Sequence, residues 1–300
     1  MKKLRFLVSL MTRENDYQME QAASARKAAV QLGVDVEILF AENDAITQST
    51  QLLKTIQGDT AMRPDAIVCE PVGGTCLPQV ARAAASAGIG WTILNREADY
   101  SAELRGSYRV PISSISVDNK EIGRIQGRQF AALLPRGGAV LYIQGPSENA
   151  VAKDRFAGMQ MVLPPNVQVT TLRGQWTVES AHRCVASWLR LNTAARTPID
   201  LVGAQNDAMA MGARKTFEES GDLPDRERWL SLPFTGCDGV PDTGQAWVRK
   251  GSLAATVVVP PTAGHALTLL AQAMQSGTRP PERSFTTPES FPPLDHLSAK

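Results

Sequence analysis

Cysteine is scarce, histidine scarcer, and neither is spaced for chemistry. The four cysteines, Cys69, Cys76, Cys184 and Cys237, form no C-x-x-C pair, and no Cys/His spacing resembles a zinc site. They read as small buried hydrophobes, and nothing in the sequence supports a Cys69–Cys76 bridge. The three histidines, His182, His265 and His296, have no nucleophile near them in sequence. No G-x-S-x-G, phosphate loop or zinc motif occurs, so no metal, cofactor or catalytic residue is expected. An excess of one charge is also missing. Lys plus Arg is 31 and Asp plus Glu is 30, a balance of +1. Without a basic run or an aromatic-interleaved patch, nucleic acid is not expected as a partner. No window approaches the roughly 20 apolar residues of a membrane span, which argues against direct membrane insertion.

The amino terminus imitates a secretory leader, because two lysines precede an apolar run. Arg5 interrupts that run, the polar residues 12–16 end it early, and no small-x-small cleavage site follows. Residues 4–10 read better as a first buried strand. The chain as it stands would then stay in the cytosol, unless a leader has been removed from it.

What is present is a packed soluble globule, with hydrophobic content 43% and charged content 20%. Its 300 residues suffice for one large or two ordinary domains. Strand and helix patterns alternate, with strands at 4–10, 34–40, 66–69 and 89–94, and helices at 18–32, 45–56 and 77–87. This rhythm marks a parallel sheet with right-handed crossovers. Residues 98–111 break it. Residues 112–117 then read as a strand leaving the first domain, and Asp118 and Asn119 cap a helix over 120–134. A second set follows, with strands at 139–143, 167–172, 199–202 and 232–236 and helices at 150–162, 178–191, 208–220 and 243–249. A strand at 253–259 and an amphipathic helix at 262–276 close the pattern. The tail from Thr278, rich in Pro and Ser, reads as a surface wrap.

The most informative stretch is Leu201-Val202-Gly203-Ala204-Gln205-Asn206-Asp207. An apolar strand end runs into a polar turn that opens a helix. In an open α/β sheet that edge is where ligands bind. Asn206 offers one acceptor and two donors to a hydroxylated ligand; equally, Asn206 or Asp207 serves as a plain helix cap.

An ordered set of short motifs spans nearly the whole chain. It comprises Val8-Ser9-Leu10, Thr92-Ile93-Leu94-Asn95-Arg96, Ser116-Val117-Asp118-Asn119 with Gly123, and Ala152-Lys153-Asp154-Arg155 with Gly158. Gln205-Asn206-Asp207 with Gly212, Gly236-Cys237-Asp238-Gly239 and Gly251-Ser252-Leu253-Ala254-Ala255-Thr256 complete it. In this set the chain resembles the type I periplasmic sugar-binding proteins, the ribose-binding branch related to lactose-repressor effector domains. The resemblance implies an α/β fold of two similar doubly wound parallel-sheet lobes joined by a three-strand hinge. Lobe 1 would hold 1–117 with 260–290, and lobe 2 would hold 118–259 with 291–300. Crossovers would fall near Val117, near Gly236–Val240 and near Val259, and hinge motion would close the lobes on a ligand in the cleft.

The same resemblance points to site residues. Ser9, Asn15 and Tyr17 follow the first strand, where Tyr17 offers a ring face and a hydroxyl; the alternative is an ordinary capped helix start. Asn95 and Arg96 end the fourth strand. The family usually has Asp-Arg here, so Asn95 keeps an acceptor but loses a charge, while Arg96 gives forked donors or a structural salt bridge. Arg155 faces the cleft from a helix. Trp176, flanked by polar residues, matches an aromatic platform, although tryptophan is more often core. Asn206 becomes a ligand contact, and Asp238, between two glycines, accepts hydroxyls unless it is a turn aspartate. Val259 stands where the family often carries Gln. Those two losses of polar capacity argue against ribose itself and leave another sugar, a polyol or a sugar acid.

The expected function is non-catalytic binding of a small carbohydrate-like solute, as the substrate-binding component of an ABC-type sugar transporter, with its permease as partner and the chain a monomer. The alternative is a cytosolic ligand-sensing module of a transcriptional or signalling system. An enzyme using Asp207 and Asp238 as a carboxylate pair is disfavoured, because Asp207 is expected to cap a helix and point away.

Overall fold

The computed structural model describes residues 3–73, 76–191, 197–220 and 226–298. Residues 1–2 of the leader-like start and residues 74–75 of the turn after the third strand lie outside them. The chain divides into two compact units. Unit 1 is Met1–Val117 with Pro260–Thr286, and unit 2 is Asp118–Val259 with Thr287–Lys300.

The elements run β1 (Arg5–Leu10), α1 (Asp16–Leu32), β2 (Asp35–Phe40), α2 (Ala45–Gln57), β3 (Ala66–Cys69), α3 (Pro78–Ser86), β4 (Gly90–Leu94), α4 (Ser101–Ser107) and β5 (Ile112–Val117). Unit 2 continues with α5 (Asn119–Leu133), β6 (Gly138–Gln144), α6 (Ala150–Val162), β7 (Val167–Arg173), α7 (Val178–Leu189), β8 (Leu201–Ala204) and α8 (Asp207–Glu219). Then come α9 (Arg226–Ser231), β9 (Phe234–Thr235), α10 (Gly244–Arg249) and β10 (Thr256–Val258). The chain returns to unit 1 for α11 (Thr262–Ser276) and β11 (Arg283–Thr286), and to unit 2 for β12 (Glu289–Phe291).

Unit 1 is a six-stranded sheet in the order β11-β5-β4-β3-β1-β2, with every pair parallel. Strand alternation sorts the core. Phe6, Val8 and Leu10 pack with α1 and α11 on one face, and Leu7 packs with α2 and α3 on the other. Unit 2 carries a four-stranded parallel sheet, β7-β6-β8-β9. Val140 and Tyr142 face α5 and α6, while Leu141 and Ile143 face α7 and α8. The strand order reverses between β1 and β3 in unit 1 and between β6 and β8 in unit 2. In doubly wound sheets the carboxyl ends at such a reversal form the ligand crevice.

Two expectations need correction. The segment Gly236–Val240 is not a crossover. Gly236 and Asp238 donate their N–H groups to Ala255 and Val257, which prolongs the sheet of unit 2 beyond β9. The third passage falls after Thr286 instead. The tail is also not a plain wrap: β11 adds a parallel edge strand to unit 1, and β12 pairs antiparallel with β10.

Candidate functional site at the strand ends

In unit 2 the site begins with a helix contact that leaves no room for side chains. A Cβ on Gly158 of α6 would lie 2.0 Å from the Lys120 carbonyl oxygen, and one on Gly123 of α5 would lie 2.0 Å from the Arg155 carbonyl oxygen. The two backbones touch there, which places Asn119, at the start of α5, beside Arg155 on α6. Arg155 is 6% exposed. Its Nε donates to Asn119 Oδ1 at 3.2 Å, and its guanidinium donates to the Gln205 carbonyl at 2.5 Å. The same guanidinium lies 3.9 Å from Asp238 Oδ1 and 5.7 Å from the centroid of the Trp176 ring.

Trp176 precedes α7, whose capping box ties Thr177 to Ser180. Its ring lies on Gly145, where a Cβ would be 2.2 Å away. Asn206 connects this loop to α8. Its Oδ1 caps the helix by accepting from Met209 N, and its Nδ2 donates to the Trp176 carbonyl at 3.0 Å. The cap is therefore Asn206, and Asp207 is the first helical residue.

Asp207 does not point out to solvent. It is buried, with Thr256 Oγ1 donating to Oδ1 at 2.7 Å and Gly239 N–H donating to Oδ2 at 2.8 Å. A Cβ on Gly236 or on Gly244 would come within 2.0 Å of its carboxylate oxygens, so both glycines are needed for its cradle. Burial, and then the neighbouring Asp238, push its pKa well above the ordinary value. Gln205 braces the turn by accepting from Gly145 N–H and donating to the Ala152 carbonyl.

Unit 1 builds its strand ends from amides. Ser9, fully buried on β1, accepts from Gln48 Nε2 at 3.1 Å. Asn15 caps α1 by accepting from Gln18 N–H. Tyr17 is half-buried, with its hydroxyl 3.4 Å from the Pro260 carbonyl. Asn95 and Arg96, both half-buried, follow β4, and Asn95 Oδ1 accepts from Thr262 Oγ1 at 3.4 Å.

The residue that sequence reasoning passed over is Glu70, at the carboxyl end of β3 and 6% exposed. Burial raises its pKa, and hydrogen bonds from Asn95 and Gln18, the Arg96 charge and a bond from Gln21 act against that rise. An acidic residue directly after a four-residue apolar strand was the available signal. Gln18, Gln21, Gln48 and Thr262 were also passed over.

The nine expected residues thus fall into two groups. Arg155, Trp176, Asn206 and Asp238 gather in unit 2. In unit 1, Asn95 and Arg96 gather around Glu70, with Tyr17 reached through Gln21 Nε2 at 3.5 Å. Ser9 and Asn15 are held in local structural bonds. Three of the nine, Asn95, Trp176 and Asp238, have positive φ (55°, 65° and 108°) although none is glycine. Such strain persists where the surroundings impose it, and it clusters at functional sites.

Doubly wound units take their ligands at their carboxyl strand ends, and there both units of this chain collect polar side chains. The chain belongs to the periplasmic binding protein domain family, whose model matches residues 6–279. It is 25% identical to the ribose import binding protein RbsB of Salmonella typhimurium, over 83% of this chain and 76% of that one. It is 24% identical to the galactofuranose-binding protein YtfQ of Escherichia coli, over 91% of this chain and 83% of that one. Its fold matches an ABC transporter periplasmic solute-binding protein from Actinobacillus succinogenes, solved with bound D-allose. The TM-score is 0.81 at 21% identity, covering 96% of this chain and 97% of that one. Among the described residues no helix is long and apolar enough to cross a membrane.

Proposed function

We propose that the chain binds a small, polyhydroxylated solute without transforming it, and presents it to the permease of an ABC-type importer. The curated relatives named above are binding proteins for ribose and galactofuranose, which supports a sugar or polyol as the solute. The observation that carries the reading is in unit 2. One buried guanidinium faces an aromatic ring and a carboxylate together, which suits the mixed C–H and O–H surface of such a molecule. We assign Arg155, Trp176, Asp238 and Asn206 in unit 2, and Tyr17, Asn95 and Arg96 in unit 1, as the ligand-binding set, with Ser9 and Asn15 bracing the strand end and helix start beside them. The protein acts as a monomer in the cell envelope, the compartment of its family.

A thermal-shift and calorimetric screen with D-ribose, D-allose, xylitol, myo-inositol and a sugar acid tests this. A ligand at a hundred times its Kd adds about 2.7 kcal/mol of stability by mass action, so a clear rise in melting temperature is expected with at least one probe, quenched or shifted Trp fluorescence accompanying it. No response to any member of a broad sugar and polyol panel would sink the reading.

A further inference from the structure

Three consecutive residues at the turn between β8 and α8 each hold one member of the unit 2 cluster. The Gln205 carbonyl accepts from the Arg155 guanidinium, and Asn206 Nδ2 donates to the Trp176 carbonyl. Asp207 takes the third member, Asp238, and grips it from both sides. Its backbone N–H donates to the Cys237 carbonyl at 2.6 Å, and its Oδ2 accepts from Gly239 N–H at 2.8 Å. Those two groups belong to the peptide units directly before and after Asp238. The other polar groups of the same two peptides go to β10 and the residue after it. Asp238 N–H donates to the Val257 carbonyl, and the Asp238 carbonyl accepts from Val259 N–H, each at 3.0 Å.

Both peptide planes at Asp238 are thus tied at both ends. Between them φ is 108°, a conformation that a side chain opposes and that only its surroundings maintain. The bonds to β10 fix one edge of this segment and leave the Cys237 carbonyl and Gly239 N–H on the other. Asp207 closes that second edge. Its carboxyl has no room to swing away, because Thr256 Oγ1 donates to Oδ1 at 2.7 Å and the backbones of Gly236 and Gly244 press on both oxygens. Gly239 is buried, so its N–H has a strong need of this acceptor. The order reaches the site through the Asp238 side chain, whose Oδ1 lies 3.9 Å from the Arg155 guanidinium.

We propose that Asp207 is a positioning residue: it clasps the backbone on either side of Asp238, and so fixes where the Asp238 carboxylate meets the solute. Asp207 acts from beneath, at 4% exposure. The consequence for affinity rests on the binding function proposed above; the clasp itself does not.

Asp207→Ala removes the acceptor. Calorimetry on the full chain, with whichever of D-ribose, D-allose, xylitol and myo-inositol binds, is expected to show affinity weaker by about tenfold or more. Asp207→Asn should recover most of that loss. Its Oδ1 can take Gly239 N–H, and its Nδ2 can donate to the Thr256 hydroxyl, which also accepts. Without ligand, amide exchange at Gly239 in a 15N spectrum should quicken about tenfold in Asp207→Ala, while the amides of β6 keep their protection. Thr256→Val unties Oδ1 at nearly constant volume. It should change affinity and Gly239 exchange in the same direction by about threefold, and it decides the matter if Asp207→Ala does not fold. An Asp207→Asn protein as weak as Asp207→Ala overturns the proposal, because charge and not position would then be at work. So does Gly239 exchange that stays unchanged in the folded variants, or that rises only together with that of β6. If no probe binds the unaltered protein, the functional reading fails, and exchange at Gly239 alone decides the clasp.

Discussion

Unit 1 and unit 2 share a doubly wound plan, yet they furnish their strand ends with different chemistry. Unit 2 sets a buried guanidinium against Asp238 and an indole ring, with a second carboxyl, Asp207, beneath them. Unit 1 sets one buried carboxyl, Glu70, among neutral amides whose far ends are tied to backbone N–H groups. The first arrangement gains strength from charge in a poorly solvated place, where loss of one partner strands the other. The second gains order from direction, since each amide has only one way round. Equivalent folds can thus furnish equivalent strand ends in different ways, one with charge and the other with the direction of amide hydrogen bonds.

The comparison can be broken most directly at Arg155. Truncating one member of a buried charge pair costs about 2–5 kcal/mol in binding, so Arg155→Ala should weaken solute affinity about thirtyfold or more by calorimetry. A loss under tenfold would remove charge from the account of unit 2. Next comes Asp207→Ala, which leaves the Thr256 hydroxyl and the Gly239 N–H without their acceptor. About 1–3 kcal/mol of stability is expected to go, read as a lower urea midpoint.

Asp207 also gives a pH signature. Its carboxyl is held well above the ordinary 3.8. Between those two values the native protein keeps a proton that the unfolded chain has released. The stability from this group is full below pH 3.8 and is lost as pH climbs through the raised value. Asp207→Asn should flatten that fall, measured as melting temperature from about pH 4 to 8; an unaltered slope would show that other groups set it. Trp176→Ala should cost about tenfold in affinity and abolish the ligand-dependent fluorescence change, in keeping with about 0.5–1.5 kcal/mol for ring contacts beyond area. The smallest effect belongs to Tyr17→Phe. Two contacts of its hydroxyl are long, at 3.4 and 3.5 Å, and a loss within about 0.5 kcal/mol of stability is expected from chemical denaturation.

The strong periodicities were readable in advance. Strands β3 and β5 and helices α6 and α11 begin and end where the pattern placed them. What escaped was short or polar. Helix α4 spans only seven residues, and Gly106 within it and Pro111 after it read as breakers. Strands β11 and β12 lie at sheet margins, where one polar face is tolerated, so RSFT and ESF carry no apolar run. The site was half legible. Residues in recognisable motifs, such as Arg155 and Asp238, could be named in advance as neighbours at a strand end, and they lie 3.9 Å apart. Asp207 was misjudged, because a helix-start acid usually faces water, and only Gly236 and Gly244 together reveal its cradle. The glutamines were invisible because an amide on a buried helix face has no signature until its partner is seen.

The late return of the chain has a bearing on biosynthesis. Helix α11 and strand β11, which finish unit 1, emerge only after the whole of Asp118–Val259. Unit 1 therefore waits on the ribosome with β5 at an open sheet edge, and it is completed only shortly before the tail that completes unit 2. Strand β12 imposes a shorter delay on its own unit, so neither folded body can be cut out as one continuous gene fragment.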